Sequence, residues 1–201
     1  MDLAFRWLVF AALWIGLSTS ATGAPRTPTP PIVRLGDYSY TVPVWWDKVQ
    51  VKVPEHFQSM HEVEAYVYGK YGNDVGTSAT WRMALKTYAL AYQRFPRTLP
   101  VYLAHCHMRG GDLDRAAQIY ADLYELSSSQ AEEEHWYRVY LAFNAGLAYA
   151  RLGRLSEAQH WYLLASRYLN DEGPNAGAII SYARQAEQAL QDPDFLPYSE
   201  K

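Results

Sequence analysis

Three short runs hold the residue types that could do chemistry. The first is His105-Cys106-His107, two imidazoles flanking the chain's one cysteine. Soft ligands of this kind suit a transition metal. Adjacent residues on a helix point about 100° apart, so three in a row cannot converge on one ion. Cys106 reads instead as a small buried apolar residue, with the two histidines facing away from each other. The second run is Glu132-Glu133-Glu134-His135, which has the composition of an acid–base or metal cluster. It falls in the first turns of a helix, where carboxylates are favoured by the helix dipole without any chemistry. His56 and His61 are five apart, the wrong spacing for one helical face. No Ser-His-Asp order, glycine-rich phosphate loop or nucleophile elbow is present. The expectation is therefore a protein that is not an enzyme and that holds no cofactor and no metal.

One cysteine excludes an internal disulfide and a cysteine-based zinc knuckle. A net charge of -3, with no Lys/Arg block, argues against a nucleic-acid partner. At 49% hydrophobic residues the 201-residue chain can bury one core of ordinary size. Aromatics make up 15%, with 17 Tyr and 7 Trp, so the partner chemistry that remains open is aromatic. Trp45-Trp46 could be a sugar-stacking platform, for carbohydrate or peptidoglycan, or an anchor for a partner. Packing onto the first helix of the body is the commoner fate of such residues.

The elements that would position these residues differ along the chain. Residues 1–23 read as a secretory signal: Arg6, an apolar run over residues 7–17, then Ala21-Thr22-Gly23 for cleavage before Ala24. An uncleaved membrane anchor is the alternative, and membrane contact is expected only in that case. With the lone cysteine, this points to a Gram-negative periplasm, with extracellular release as the rival. Residues 24–36 form a proline-rich spacer, through Pro25, Pro28, Pro30 and Pro31. Residues 37–56 hold two strand-like stretches, 38–42 and 49–53, predicted to pair as a hairpin supported by the body. Residues 57–192 carry helical periodicity and 193–201 are a tail. Helices are predicted over 83–95, from Asp112 to about 126, and from the capping box at Ser129 to about 152. Further helices are expected from Ser156 to about 169 and over 176–191.

Three of these helices share a triplet. Ala84, Tyr88 and Ala91 align with Ala116, Tyr120 and Leu123, and with Ala158, Tyr162 and Ala165. A small residue, an aromatic four later and an apolar residue three after that fall on one face. Gly146, Tyr149 and Gly153 complete the pattern in the last unit and Gly111 in the middle one. With these residues the chain resembles the tetratricopeptide repeat family over about residues 65–191. In the middle unit His107 stands where that family has an aromatic. The spacing also departs from about 34 residues: Ala84 to Ala116 is 32, and Ala116 to Ala158 is 42, read as about two extra helical turns.

The resemblance implies an all-α fold, an α-solenoid of about three helical hairpins plus a closing C-terminal helix, preceded by the short strand-like aromatic segment. It also implies a concave groove that binds a peptide or a partner's helix. The family's groove positions fall on Val101, His105, Met108 and Arg109, and on Tyr140, Phe143, Leu147 and Arg151. Asn144 sits suitably for carboxylate capture, but the matching lysines are missing. The function so implied is protein–protein interaction in an exported scaffold, possible self-association through the array ends being a further reading.

Overall fold

The computed structural model describes residues 31–71, 80–96, 98–127, 132–172 and 176–192, with the side chains of 132–134 left out. The signal-like segment, the capping residue Ser129 and the tail lie outside the described residues. What is described is mostly helical, with one two-stranded sheet. Strands β1 (Ile32–Leu35) and β2 (Tyr38–Thr41) precede α1 (Met60–Tyr71), α2 (Thr80–Arg94), α3 (Val101–Arg109) and α4 (Leu113–Leu126). Then come α5 (Glu132–Arg151), α6 (Leu155–Ser166) and α7 (Ala176–Gln191). Each helix packs on the next in sequence, and α7 returns onto both α5 and α6. Neighbour-to-neighbour packing of this kind builds one continuous core from local pairs.

The triplet residues supply that core. All nine, from Ala84 to Ala165, are buried. The small residues permit close approach where it is needed. A Cβ on Gly146 of α5 would lie 2.7 Å from the Tyr162 ring of α6. A Cβ on Gly110, just after α3, would lie 2.5 Å from the Trp81 ring of α2. Two helices end in the same way. Gly111 and Gly153 take φ of 78° and 73°. At the first, Asp112 N–H reaches back to His107 C=O at 3.0 Å and Gly111 N–H to Met108 C=O at 3.3 Å. At the second, Arg154 N–H bonds Tyr149 C=O and Gly153 N–H bonds Ala150 C=O, both at 2.9 Å. This is the left-handed glycine cap that satisfies the last carbonyls of a helix. The next helices open without a side-chain cap, at Asp112 and Arg154. Ser156, expected to cap α6, lies inside it, and the cap position falls to Arg154. In α7 the buried stripe is Ile179, Ala183, Ala186 and Ala189.

The hairpin differs from the expected one. β2 pairs antiparallel with Ile32–Leu35, inside the stretch expected to be spacer, in the register Ile32↔Thr41 to Leu35↔Tyr38. Residues 49–53 form no strand. Two physical reasons favour this outcome. Gly36 takes φ of 61°, which permits a two-residue turn and the shortest loop to close. And cations of α2 tie down the backbone at both ends of the later stretch. Lys86 Nζ donates to Trp46 C=O at 2.7 Å and Val49 C=O at 2.8 Å. The Arg94 guanidinium donates to Pro54, Glu55 and Phe57 C=O at 2.9, 2.6 and 3.1 Å. A segment without its own ladder must satisfy its backbone in some such way.

Candidate functional site

Residues 31–57 form a strap, and its contacts define which helix faces remain. Tyr40 of β2 is fully buried, and its hydroxyl lies 2.9 Å from His107 Nε2. His107 Nδ1 in turn lies 2.9 Å from Asp112 Oδ2. The bond to His107 holds the Asp112 carboxyl below its usual range, so it is ionised and can only accept. Nδ1 therefore carries the proton, and Nε2 accepts from the Tyr40 hydroxyl. Burial pushes the His107 pKa down, which keeps the imidazole neutral. Arg115 of α4 donates to Thr41 C=O at 2.7 Å and lies 5.3 Å from the Tyr40 ring centroid. Tyr38 reaches Asp122 of α4 at 3.5 Å.

Trp45 and Trp46 complete the strap. Trp45 meets Trp81 of α2 edge-on at 5.5 Å, with the Arg82 guanidinium 5.5 Å from its centroid. Lys86 stands 5.0 Å from the Trp46 centroid. Both indoles are half-buried packing onto α2. The strap thus packs on α2 and α4, on His107 of α3 and, through Phe57, on Tyr66 of α1.

The three chemical runs separate. His105 is half-buried on α3; burial, with Arg109 nearby, lowers its pKa to about 4. Cys106 is buried and its thiol is pushed up. His135 Nδ1 pairs with Asp171 Oδ2 at 2.7 Å, tying α5 to the connection before α7. His56 and His61 are both exposed. No cluster of three or more His, Cys, Asp or Glu suited to a metal exists among the described residues.

The predicted groove positions divide by burial. Val101, Met108, Phe143 and Leu147 are buried, so they serve the core and cannot touch a partner. The closing helix is one cause: Tyr182 of α7 packs 5.1 Å from Phe143, and Tyr162 lies 6.1 Å from it. His105, Arg109 and Tyr140 are half-exposed and Arg151 is exposed.

Other residues join those four. On α3, Tyr102, His105 and Arg109 are spaced three and four apart, as one helix face requires. On α5, Tyr137, Tyr140 and Asn144 repeat that spacing, with Trp136 beside them, and all four are half-exposed. Trp136 stacks on Tyr140 at 5.3 Å and 10°, and meets Tyr137 edge-on at 5.0 Å. Tyr102 stacks on Tyr88 at 4.8 Å and 13°. Its hydroxyl titration is pushed up by burial and by the bond to Glu64, with smaller contributions from Tyr137 and Tyr140. Asn144 Nδ2 donates to Tyr140 C=O at 2.8 Å, which fixes the amide.

Tyr102, Trp136 and Tyr137 were not among the expected groove residues. The signal for Tyr102 lay in the repeat itself, since Tyr102 and Asn144 are 42 apart, the same interval as Ala116 and Ala158. The extra turns that lengthen α5 supply Trp136 and Tyr137. Their position is held by Arg138, whose guanidinium donates to Tyr124 C=O at 3.1 Å, to Ser127 and to Tyr168 Oη at 3.1 Å. It lies 4.0 Å from the Tyr124 centroid, so it closes α4 and aims α5 at once.

Comparison with models of known families, with curated proteins and with solved structures finds no match to this chain. The molecule is thus defined by its own architecture: mostly helical, with a small two-stranded sheet.

Proposed function

We propose that this chain is a non-catalytic interaction module. Its helices are read as a tetratricopeptide-like array of three hairpins, α1–α2, α3–α4 and α5–α6, closed by α7. It binds an extended or helical segment of a protein partner along α3 and α5. One observation carries the reading. The strap contacts α2, α4, Tyr66 of α1 and His107 of α3, whereas Tyr102, His105 and Arg109 with Trp136, Tyr137, Tyr140 and Asn144 stay half-exposed. Aromatics and arginine dominate binding energy at interface centres. Residues 1–23 support export, and a periplasmic location goes with this proposal. No described helix is long and apolar enough to cross a membrane.

The test is capture of partners by mild crosslinking, using the chain and its Trp136→Ala/Tyr140→Ala variant. A partner retained by the first and lost by the second, with helical content unchanged, supports binding on this face. A partner retained equally by both moves the interaction elsewhere and ends the proposal.

A further inference from the structure

The strap and α1 enclose an open hollow of about 720 Å³, lined by Lys52, Pro54, Glu55, His56, Tyr66 and Lys70. Its walls are held by contacts on both sides. The Arg94 guanidinium donates to the carbonyls of Pro54, Glu55 and Phe57, which fixes the strap side. Phe57 is buried and lies 5.3 Å from the Tyr66 ring, and the His56 ring meets Phe57 edge-on at 4.7 Å. On α1, Lys70 Nζ donates to the Tyr66 hydroxyl at 2.7 Å and stands 5.1 and 5.4 Å from the Tyr66 and Tyr71 ring centroids. That bond places the ammonium and uses one of its three N–H groups. The Tyr66 hydroxyl accepts there, so it keeps its own proton to donate. Lys52 is exposed, and neither lysine is ion-paired among the described residues.

We propose that this hollow binds a phosphate monoester, its phosphate held by Lys52 and Lys70 and its organic body set against Tyr66. Charge is the first reason. A phosphate monoester carries about -1.5 to -2 at neutral pH, which two ammonium groups match. Geometry is the second. An ammonium is a compact point charge with rotatable donors, which suits tetrahedral oxygens. The planar fork that favours a carboxylate is not offered, because Arg94 spends both terminal nitrogens on backbone carbonyls. Glu55 sets the limit. Its carboxylate lines the same hollow and repels charge beyond what the lysines neutralise, so a polyanion is disfavoured. Size is the third. Ligand sites run from roughly 300 to 1,000 Å³, so there is room for a phosphate with a small alcohol or sugar attached. A soluble ester and a lipid with a monoester headgroup present the same chemistry. The site is built from α1 and the strap rather than α3 and α5, so it stands or falls apart from the interaction reading above.

The test titrates the full chain with glycerol phosphate, glycerol and acetate, followed by NMR. In parallel, the chain is sedimented with phosphatidylcholine vesicles that contain or lack phosphatidic acid. Glycerol phosphate is expected to bind, acetate about tenfold or more weakly, and glycerol not at all. Lys52→Gln and Lys70→Gln should each weaken phosphate binding about fivefold or more. Lys52→Gln changes an exposed side chain, so its result does not depend on how α1 tolerates Lys70→Gln. Glu55→Gln should tighten binding about twofold or more. The wall survives that change, because Arg94 holds the Glu55 carbonyl and not its carboxylate. Binding of the soluble ester assigns the site to a soluble phosphate. Binding only to vesicles with phosphatidic acid, lost in Lys52→Gln, assigns it to a lipid headgroup. Both outcomes support the proposal. No binding to either probe, acetate binding as tightly as the phosphate, or undiminished binding by both lysine variants overturns it.

Discussion

Replacing tyrosine by phenylalanine should have opposite effects at sites that look alike in sequence. Tyr40 is 0% exposed and its hydroxyl serves His107 Nε2 at 2.9 Å. Tyr40→Phe keeps the ring against Trp46, 6.2 Å away, and removes only the donor. His107 then has a buried acceptor with no partner, which costs about 1–3 kcal/mol. Against a total of about 5–15 kcal/mol this is a large fraction. At about 2–4 °C per kcal/mol for a chain of this size, Tm should fall by several degrees. Two residues earlier, Tyr38 reaches Asp122 at 3.5 Å across a partly exposed gap. Tyr38→Phe should cost less than about 0.5 kcal/mol. Tyr162 is buried and its hydroxyl has no hydrogen-bond partner among the described residues. Tyr162→Phe removes an unpaired polar atom, and should be neutral or stabilise by up to about 1 kcal/mol. Urea unfolding of the three variants, read by circular dichroism, gives the order directly. Equal effects at all three sites, or Tyr162→Phe as the most damaging, would refute the reasoning that hydroxyl pairing, not ring packing, sets the difference.

Three further outcomes follow from the same geometry. Gly146→Ala places a methyl 2.7 Å from the Tyr162 ring, so overpacking of about 1–3 kcal/mol should outweigh the helix-propensity gain; Gly177→Ala, with nothing within 4 Å, should stabilise by up to about 1 kcal/mol, and chemical denaturation of both separates packing from propensity. Stability should decline on acidification. His105, lowered to about 4, and His107, also lowered, are held neutral in the fold. Their contribution is complete above the unfolded value of about 6.5 and is lost as pH falls through the folded values. Asp112, also lowered, adds its own loss at still lower pH. Unfolding midpoints measured from pH 7 to 4 should fall, and His105→Leu should flatten the slope. Arg138→Ala should cost about 2–3 kcal/mol and reduce partner capture, because one guanidinium holds the end of α4 and the aim of α5; capture unchanged in that variant would show that Trp136 and Tyr140 are placed without it.

The helices were legible in the sequence because their causes are local. Period, glycine caps and the repeated triplet put every one of Ala84, Tyr88, Ala91, Ala116, Tyr120, Leu123, Ala158, Tyr162 and Ala165 on a buried face. Gly111 and Gly153 ended helices where a left-handed residue was needed. Packing of the tryptophan pair was the favoured expectation, but on the first helix of the body; it falls on α2 instead.

Periodicity tells which side of a helix meets something, but not what stands opposite. His107 looked like a misplaced aromatic, and only the approach of Tyr40, 67 residues away, makes it the buried centre of a relay. The partner of β2 was settled by the short turn at Gly36, while Lys86 and Arg94 tie the backbone at both ends of the rival stretch to α2. Likewise Val101, Met108, Phe143 and Leu147 were read as groove residues from the repeat, and tertiary packing, including the return of α7, buried them. Sequence therefore determined most of the helices, the glycine-capped ends and the inward triplet faces, since those follow from contacts within a few turns. Tertiary structure alone decided which outward residues stayed open to a partner, because that depends on what a distant segment covers.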